Sequence, residues 1–234
     1  MIAVRKARDR GLTNIGWLKS YHTFSFGEYY DPKHMNFRSL RVINEDWVKG
    51  GKGFDTHPHR DMEIITYVLE GSLEHKDSMG NGSVIKPGEV QLMRAGTGVA
   101  HSEHNHSKNK EVHLYQIWIL PDKQGLKPDY QQKEFPIREN HNRLHLVVSK
   151  DGRENSLRIH QDADLFITYF SQSGQIDYLI KPNRYVWFQV AKGKIKVNET
   201  LVQEGDGLAI SAESKLEIRA QDQDESEFLL FDLT

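Results

Sequence analysis

Histidines and carboxylates gather at the two ends of one stretch, Gly51 to Asn105. It opens with Gly51-Lys-Gly-Phe-Asp-Thr-His57-Pro-His59-Arg-Asp-Met-Glu63 and closes with Gly96-Thr-Gly98-Val-Ala-His101-Ser-Glu103-His-Asn105. Side chains alternate between the faces of a β-strand, so His57 and His59 share one face, and so do His101 and Glu103. Two such strands facing each other inside a small barrel bring three imidazole nitrogens and one carboxylate to one ion. That donor set suits Fe, Zn, Ni, Cu or Mn, and the absence of thiolate argues against a closed structural zinc site. An ion held this way keeps open positions.

The elements that must hold these residues are short strands. Ile64 to Leu69 is a run rich in β-branched residues, broken at Gly71 before Ser72 to Lys76 continues. Asp77-Ser-Met-Gly-Asn-Gly82 is a dense turn signal, Val84 to Lys86 and Val90 to Met93 follow as strands, and Ala95 to Gly98 turns the chain into His101. Upstream, strands are expected at Ile2 to Val4, His22 to Phe26 and Leu40 to Ile43, with a turn at Tyr29 to Lys33. Val112 to Leu120 is the longest candidate. The polar stretch Pro121 to Glu134 reads as an interdomain linker, dividing the chain into 1–125 and 126–234.

Strand candidates then resume at 144–148, 157–160, 165–170, 185–190, 195–197, 208–210, 216–218 and 228–231. Val186-Trp-Phe-Gln-Val-Ala-Lys-Gly193 echoes Tyr67-Val-Leu-Glu-Gly71, and Gly205-Asp-Gly207 echoes Pro87-Gly88-Glu89, which points to an internal duplication. The fold class is therefore all-β, two tandem barrels. No His-x-His pair accompanies the second copy, so that copy is expected to lack a metal.

The 234 residues suffice for two cores, and 37% hydrophobic with 27% charged residues is ordinary for a globular protein. With 31 basic and 33 acidic residues the net charge is −2, so no strong field points to nucleic acid or an anionic membrane. There is no cysteine, hence no disulfide framework and no thiol nucleophile. The first ten residues lack the apolar core of a secretory signal and no run is long enough to span a bilayer, so a cytoplasmic protein is expected.

Gly51 five residues before His57, then His59, Glu63 and Gly71, resembles the first cupin motif, and Gly96-x-Gly98-x-x-His101-x-x-x-Asn105 resembles the second. Proline is usual where Gly96 stands, and the gap from Glu63 to Gly71 is one residue longer than usual. Gly16-Trp-Leu-Lys-Ser-Tyr-His-Thr-Phe-Ser-Phe26, Tyr30-Asp-Pro, Leu40-Arg-Val-Ile-Asn44, Tyr67-Val-Leu-Glu-Gly71, Asp77-Ser-Met-Gly80 and Leu114-Tyr-Gln-Ile-Trp118 together resemble the pirin family, particularly bacterial members with quercetin 2,3-dioxygenase activity.

The resemblance implies a bicupin of two jelly-roll barrels with one divalent ion in the N-terminal domain. Fe(II) is expected, with Ni, Cu, Mn, Co and Zn as alternatives. It further implies His57, His59, His101 and Glu103 as ligands and leaves Glu63, which shares the strand parity of His59, as a supporting residue. The implied reaction opens the central ring of a flavonol with O2 and releases carbon monoxide, with Glu103 taking the 3-hydroxyl proton. Phe24, Phe26 and Met93 are expected to flank a small flat aromatic substrate. Eukaryotic pirins resemble transcription cofactors, so an iron-dependent redox switch with a protein partner is the competing reading. A redox-silent isomerase or hydrolase is a third.

The sequence has 12 histidines, and most need no site. His104 and His106 lie on the opposite strand face from His101 and read as solvent-facing. His75, His113, His141, His145 and His160 read as surface or core residues, and Asp55 and Asp61 as loop or surface. The resemblance places His22 near the pocket. Trp17, Tyr21, Phe24, Phe26, Tyr29 and Tyr30 are read first as core or cover, and only second as pocket lining.

Overall fold

The computed structural model describes residues 1–221 and 225–234. The first half of the chain forms β1 (Ile2–Arg5), β2 (Gly11–Asn14), β3 (Leu18–His22), β4 (Leu40–Val48), β5 (Gly53–His59), β6 (Glu63–Glu70), β7 (Leu73–Asp77), β8 (Gly82–Ile85), β9 (Glu89–Arg94), β10 (Val99–Asn105), β11 (Val112–Ile119) and β12 (Asp129–Glu134). The second half forms β13 (His145–Ser149), β14 (Leu157–Arg158), β15 (Ala163–Phe170), β16 (Gln175–Leu179), β17 (Tyr185–Lys192), β18 (Lys194–Val197), β19 (Thr200–Gln203), β20 (Gly207–Ile210), β21 (Lys215–Ala220) and β22 (Ser226–Leu233). Among the described residues, helix is confined to two short 3-10 turns. No helix there is long and apolar enough to cross a membrane.

These strands build the expected all-β bicupin. Its four sheets form two matching pairs: β12-β9-β6-β11-β4-β3-β2 with β5-β10-β7-β8, and β1-β20-β17-β22-β15-β13-β14 with β16-β21-β18-β19. The second pair repeats the strand order of the first from β9 to β3 in β20 to β13, while the outermost pair differs, β2 running antiparallel to β3 and β14 parallel to β13. The duplication is also written into the glycines. Gly71 and Gly193 each follow an interior strand of a large sheet, β6 and β17, with φ of 78° and 77°. At each, a Cβ would come within 2.8 Å of a facing carbonyl oxygen, from Glu111 and Glu225 respectively. Only glycine takes that turn without strain. Gly96 has φ 48° and its Cβ would meet the Leu126 carbonyl at 2.0 Å. Proline, fixed near −65°, cannot occupy such a position, which explains the departure from the usual cupin motif.

The compact units are Gly11–Phe135 with Ile159–Gln161, and Met1–Arg10 with Pro136–Arg158 and Asp162–Thr234. The expected division after residue 125 thus falls inside the first unit, and the supposed linker contains β12, paired to β9 from Asp129 against Arg94 to Glu134 against Glu89. Likewise β1 pairs with β20 of the second unit. β1 is the strand expected at Ile2 to Val4, whereas β12 is an edge strand held by its backbone ladder whose side chains are polar, so composition alone reads it as a connector. Upstream, the strand expected at 22–26 lies earlier, at β3, which forms a hairpin with β2.

Alternation along β3, β4, β6, β9, β10 and β11 fills the first barrel in two layers. One layer is apolar: Leu18, Val48, Val68, Leu73, Ile85, Val112 and Leu114 pack together from both sheets. The other is a belt of buried polar groups that includes Ser20, His22, Asn44, Asp46, Thr66, His75, Gln91, His101 and Glu103. The second barrel has no such belt among its described residues in this position. Its interior is a continuous apolar cluster built around Phe170, Phe188, Phe228 and Leu230.

Candidate metal centre

The site forms where β5 and β10 run side by side. Rather than facing each other across the barrel, they are hydrogen-bonded neighbours of one sheet, with His57 opposite His101 and His59 opposite Val99. Neighbouring strands still present same-face pairs together, and the pairing distance brings the rings close. A register shift between His101 and Glu103 then sets Phe54 against Glu103. It turns Asp55 outward, where it meets His104 at 3.5 Å. The loop or surface reading of Asp55 and the outward reading of His104 and His106 agree with this arrangement.

His57, His59 and His101 converge, with ring centroids 4.5 to 4.9 Å apart. His57 Nδ1 donates to the Asp55 carbonyl at 2.8 Å, leaving its Nε2 as a lone pair 3.1 Å from His101 Nε2. Burial, with the neighbouring imidazoles, lowers His59 to about 4 and His101 to about 3. At neutral pH His59 and His101 are therefore uncharged donors, crowded with His57 on one point, an arrangement that a divalent cation satisfies.

Glu103 stands slightly apart. Among the described residues, the ligand atoms of the three imidazoles lie within 4.8 Å of one another, while Glu103 closes to that spacing with His75 and His101. Gln116 Nε2 donates to its Oε2 at 2.7 Å and Thr66 Oγ1 to its Oε1 at 3.5 Å. Despite these bonds, burial pushes the carboxyl up to about 7, with the charge of Asp46 adding to the rise. Its folded value lies above its unfolded one, so its contribution to stability is full below about pH 4.5 and is lost as the pH climbs through about 7. Glu103→Gln should accordingly stabilise the metal-free protein at pH 8 relative to pH 5, by roughly 2 kcal/mol in urea unfolding. A mutant-to-wild-type difference that does not change between those pH values would contradict the raised carboxyl.

Glu63 is not part of the cluster. Fully buried, it pairs with Arg94 Nε at 3.1 Å and accepts the His160 backbone N–H at 3.2 Å. Phe26 lines the cavity, but Phe24 and Met93 do not. Met93 packs with Ile64, Ala95 and Val99 in the core, because its strand position turns it into the sheet interior. Of the other N-terminal aromatics, Trp17 packs edge-on against Phe54 and Tyr21 against Trp47.

A cavity of about 260 Å³ reaches the imidazoles, walled by Phe26, Phe54, Trp118 and Leu18, with Thr13, Ser20, His22, Asn44, Asp46 and Gln116 as its polar lining. A larger open groove of about 640 Å³ in the second barrel, between Ile180–Tyr185 and Ser211–Ser214, has no comparable set of donors. The smaller cavity is therefore the one with chemistry. His22 sits in its wall, bonded to Thr13 Oγ1 and Asn44 Oδ1, both at 2.8 Å. Asp46, not singled out in the sequence, is buried beside it and pushed up to about 7 by burial. The signal was Asn44-x-Asp46, a polar pair on a strand face whose other positions are Leu40, Val42 and Val48. His75 was likewise missed as a site neighbour, though it forms a same-face pair with Asp77.

Comparison with known proteins places these features. The family profile described as Pirin matches residues 3–119, and that of the quercetinase C-terminal cupin domain matches residues 146–233. The chain is 49% identical over 233 residues to a quercetin 2,3-dioxygenase of Escherichia coli K12, covering 100% of this chain and 99% of that protein. It superposes with a TM-score of 0.94 on the bacterial pirin YhhW of Escherichia coli in complex with nickel(II), at 49% identity and covering 100% and 99% of the two chains. A quercetin 2,3-dioxygenase from Acinetobacter baumannii, 19% identical with a TM-score of 0.80 over 99% of this chain and 85% of that one, shares the fold.

Proposed function

The chain belongs to the pirin family, and from that premise we propose that it is a metal-dependent dioxygenase that opens the central ring of flavonols such as quercetin with O2, releasing carbon monoxide. The observation that carries this reading is the cavity that ends on the imidazole cluster between aromatic walls, a shape suited to a flat aromatic substrate. The quercetin 2,3-dioxygenase of Escherichia coli, similar over its whole length, supports the same reaction class. Action in the cytoplasm, on a small flat aromatic molecule and O2, is part of the proposal.

His57, His59 and His101 would hold the ion and Glu103 would complete the set. The nickel(II) complex of the Escherichia coli pirin supports a divalent ion here. Fe(II) is the ion we propose. The bound ion supplies Lewis acidity and, as Fe(II), one-electron chemistry with O2. Three neutral imidazoles and one carboxylate leave the site a net charge of about +1 with a divalent ion, which favours an anionic oxygen of the substrate. Glu103, buried beside the imidazoles, would take the 3-hydroxyl proton. Gln116 fixes the orientation of that carboxylate, and Trp118 with Phe26, 5.3 Å apart and edge to face, flanks the ring.

An iron-dependent regulatory role is the second reading, and a closed site would favour it. The cavity leading to the cluster favours catalysis. The test is O2 uptake by anaerobically iron-loaded protein on addition of quercetin, with metal-stripped protein beside it. Uptake that requires the metal supports the dioxygenase. A loaded protein that binds its metal tightly and consumes no O2 would move the assignment to the regulatory reading.

A further inference from the structure

Behind the imidazole cluster lies a second set of buried polar groups that the proposed reaction does not use. β7 borders β10 so that Asp77 stands opposite His101 and His75 opposite Glu103. Both His75 and the Asp77 side chain are fully buried. Asp77 is held by its own turn: Oδ1 accepts from the Met79 and Asn81 backbone N–H groups at 2.9 and 3.0 Å, and Oδ2 accepts from Asn81 Nδ2 at 2.9 Å. A carboxylate with this many donors is an acceptor only. Its Oδ2 lies 3.1 Å from His75 Nε2, which must therefore carry the proton of that ring.

The consequence passes through the ring. His75 Nδ1 is left with a lone pair, and two donors aim at it: Gln91 Nε2 at 3.1 Å and His101 Nδ1 at 3.4 Å. Tyr130, from the edge strand β12, stacks on the His75 ring at 4.9 Å and holds its plane. With its proton on Nδ1, His101 presents the Nε2 lone pair to the cluster, where His57 Nε2 waits 3.1 Å away. The reverse tautomer would set two lone pairs against each other at His75 and leave His101 with an N–H pointing at the cluster.

We propose that Asp77 and His75 are positioning residues: through two buried hydrogen bonds they fix His101 in the tautomer and ring orientation that offers Nε2 to a metal ion. The inference rests on reading the imidazole cluster as a metal centre and goes beyond it in assigning the support of one ligand to β7. A carboxylate that orients a histidine through its second ring nitrogen is a general device of metal sites; here an additional imidazole lies between the two.

Asp77→Asn is the discriminating substitution. Its amide oxygen can still accept the turn's N–H groups, while its NH2 faces His75 Nε2, draws a lone pair there, and moves the ring proton to Nδ1. His101 is then forced into the other tautomer. Long-range 1H–15N NMR of the histidine rings in the metal-free full chain reads the tautomers directly, and the same samples report that the fold is intact. The expected result is His101 protonated on Nδ1 in the wild type and on Nε2 in Asp77→Asn, with Ni(II) affinity, measured by chelator competition, at least about tenfold weaker in the variant.

A wild-type His101 protonated on Nε2, or His75 carrying its proton on Nδ1, would overturn the proposal whatever the metal does. So would Ni(II) affinity in Asp77→Asn within twofold of wild type. Wild-type protein with the expected tautomers but no affinity for Ni(II) would instead sink the metal reading and with it the positioning role, while leaving the hydrogen-bonded chain in place.

Discussion

His101→Ala is expected to weaken divalent-metal binding by more than about a hundredfold, because even groups outside the ligand set are commonly worth 10–100-fold in metal affinity. His101 is the residue on which the site turns. It is buried, belongs to both groups of ligand-type atoms, and has its Nε2 directed at His57 and its Nδ1 at His75. Its removal takes away a central donor and opens a polar hole that the neighbouring rings do not fill. O2 uptake on quercetin by iron-loaded protein should fall with the metal content. Chelator competition with Ni(II) separates loss of metal from loss of chemistry. A variant that binds Ni(II) as the wild type does would remove His101 from the ligand set.

Arg94→Met is expected to cost about 3 to 5 kcal/mol of stability, the usual loss when one partner of a buried ion pair is removed. Glu63 and Arg94 face each other across β6 and β9, with Glu63 inaccessible to solvent and Arg94 nearly so. Burial pushes the Glu63 carboxyl above its ordinary value and Arg94 pulls it back. Without the guanidinium, the carboxyl can take a proton, which places the loss toward the lower end of that range. The double variant Arg94→Met with Glu63→Gln keeps an acceptor for the His160 N–H and removes the charge, so it should recover most of the loss. Urea unfolding of the single and double variants measures both. A single variant costing less than about 1 kcal/mol would mean the pair is already relieved by solvent.

The stability of Glu63 bears on its absence from the site. Its strand parity matches that of His59, and only the family resemblance left it outside the ligand set. In the folded chain β9 stands next to β6 and brings Arg94 to it, so the same carboxylate that another cupin would turn to a metal is used here to tie two strands.

By itself, the sequence determined the all-β class, the duplication and the same-face pairs His57 with His59 and His101 with Glu103. These follow from local rules: a two-residue period, β-branched runs, and glycines where the backbone needs positive φ. Tertiary structure alone decided what lies beside what. It set β5 against β10 as neighbours with a bulge that exchanges Phe54 for Asp55, paired the polar stretch Asp129–Glu134 with β9, and gave β1 to the second barrel. It also put His75 and Asp77 behind His101 and Asp46 into the cavity wall. The physical reason is the same in each case: strand order and register depend on pairings between residues far apart in the chain, and periodicity tells which face a side chain takes but not which strand it will meet there.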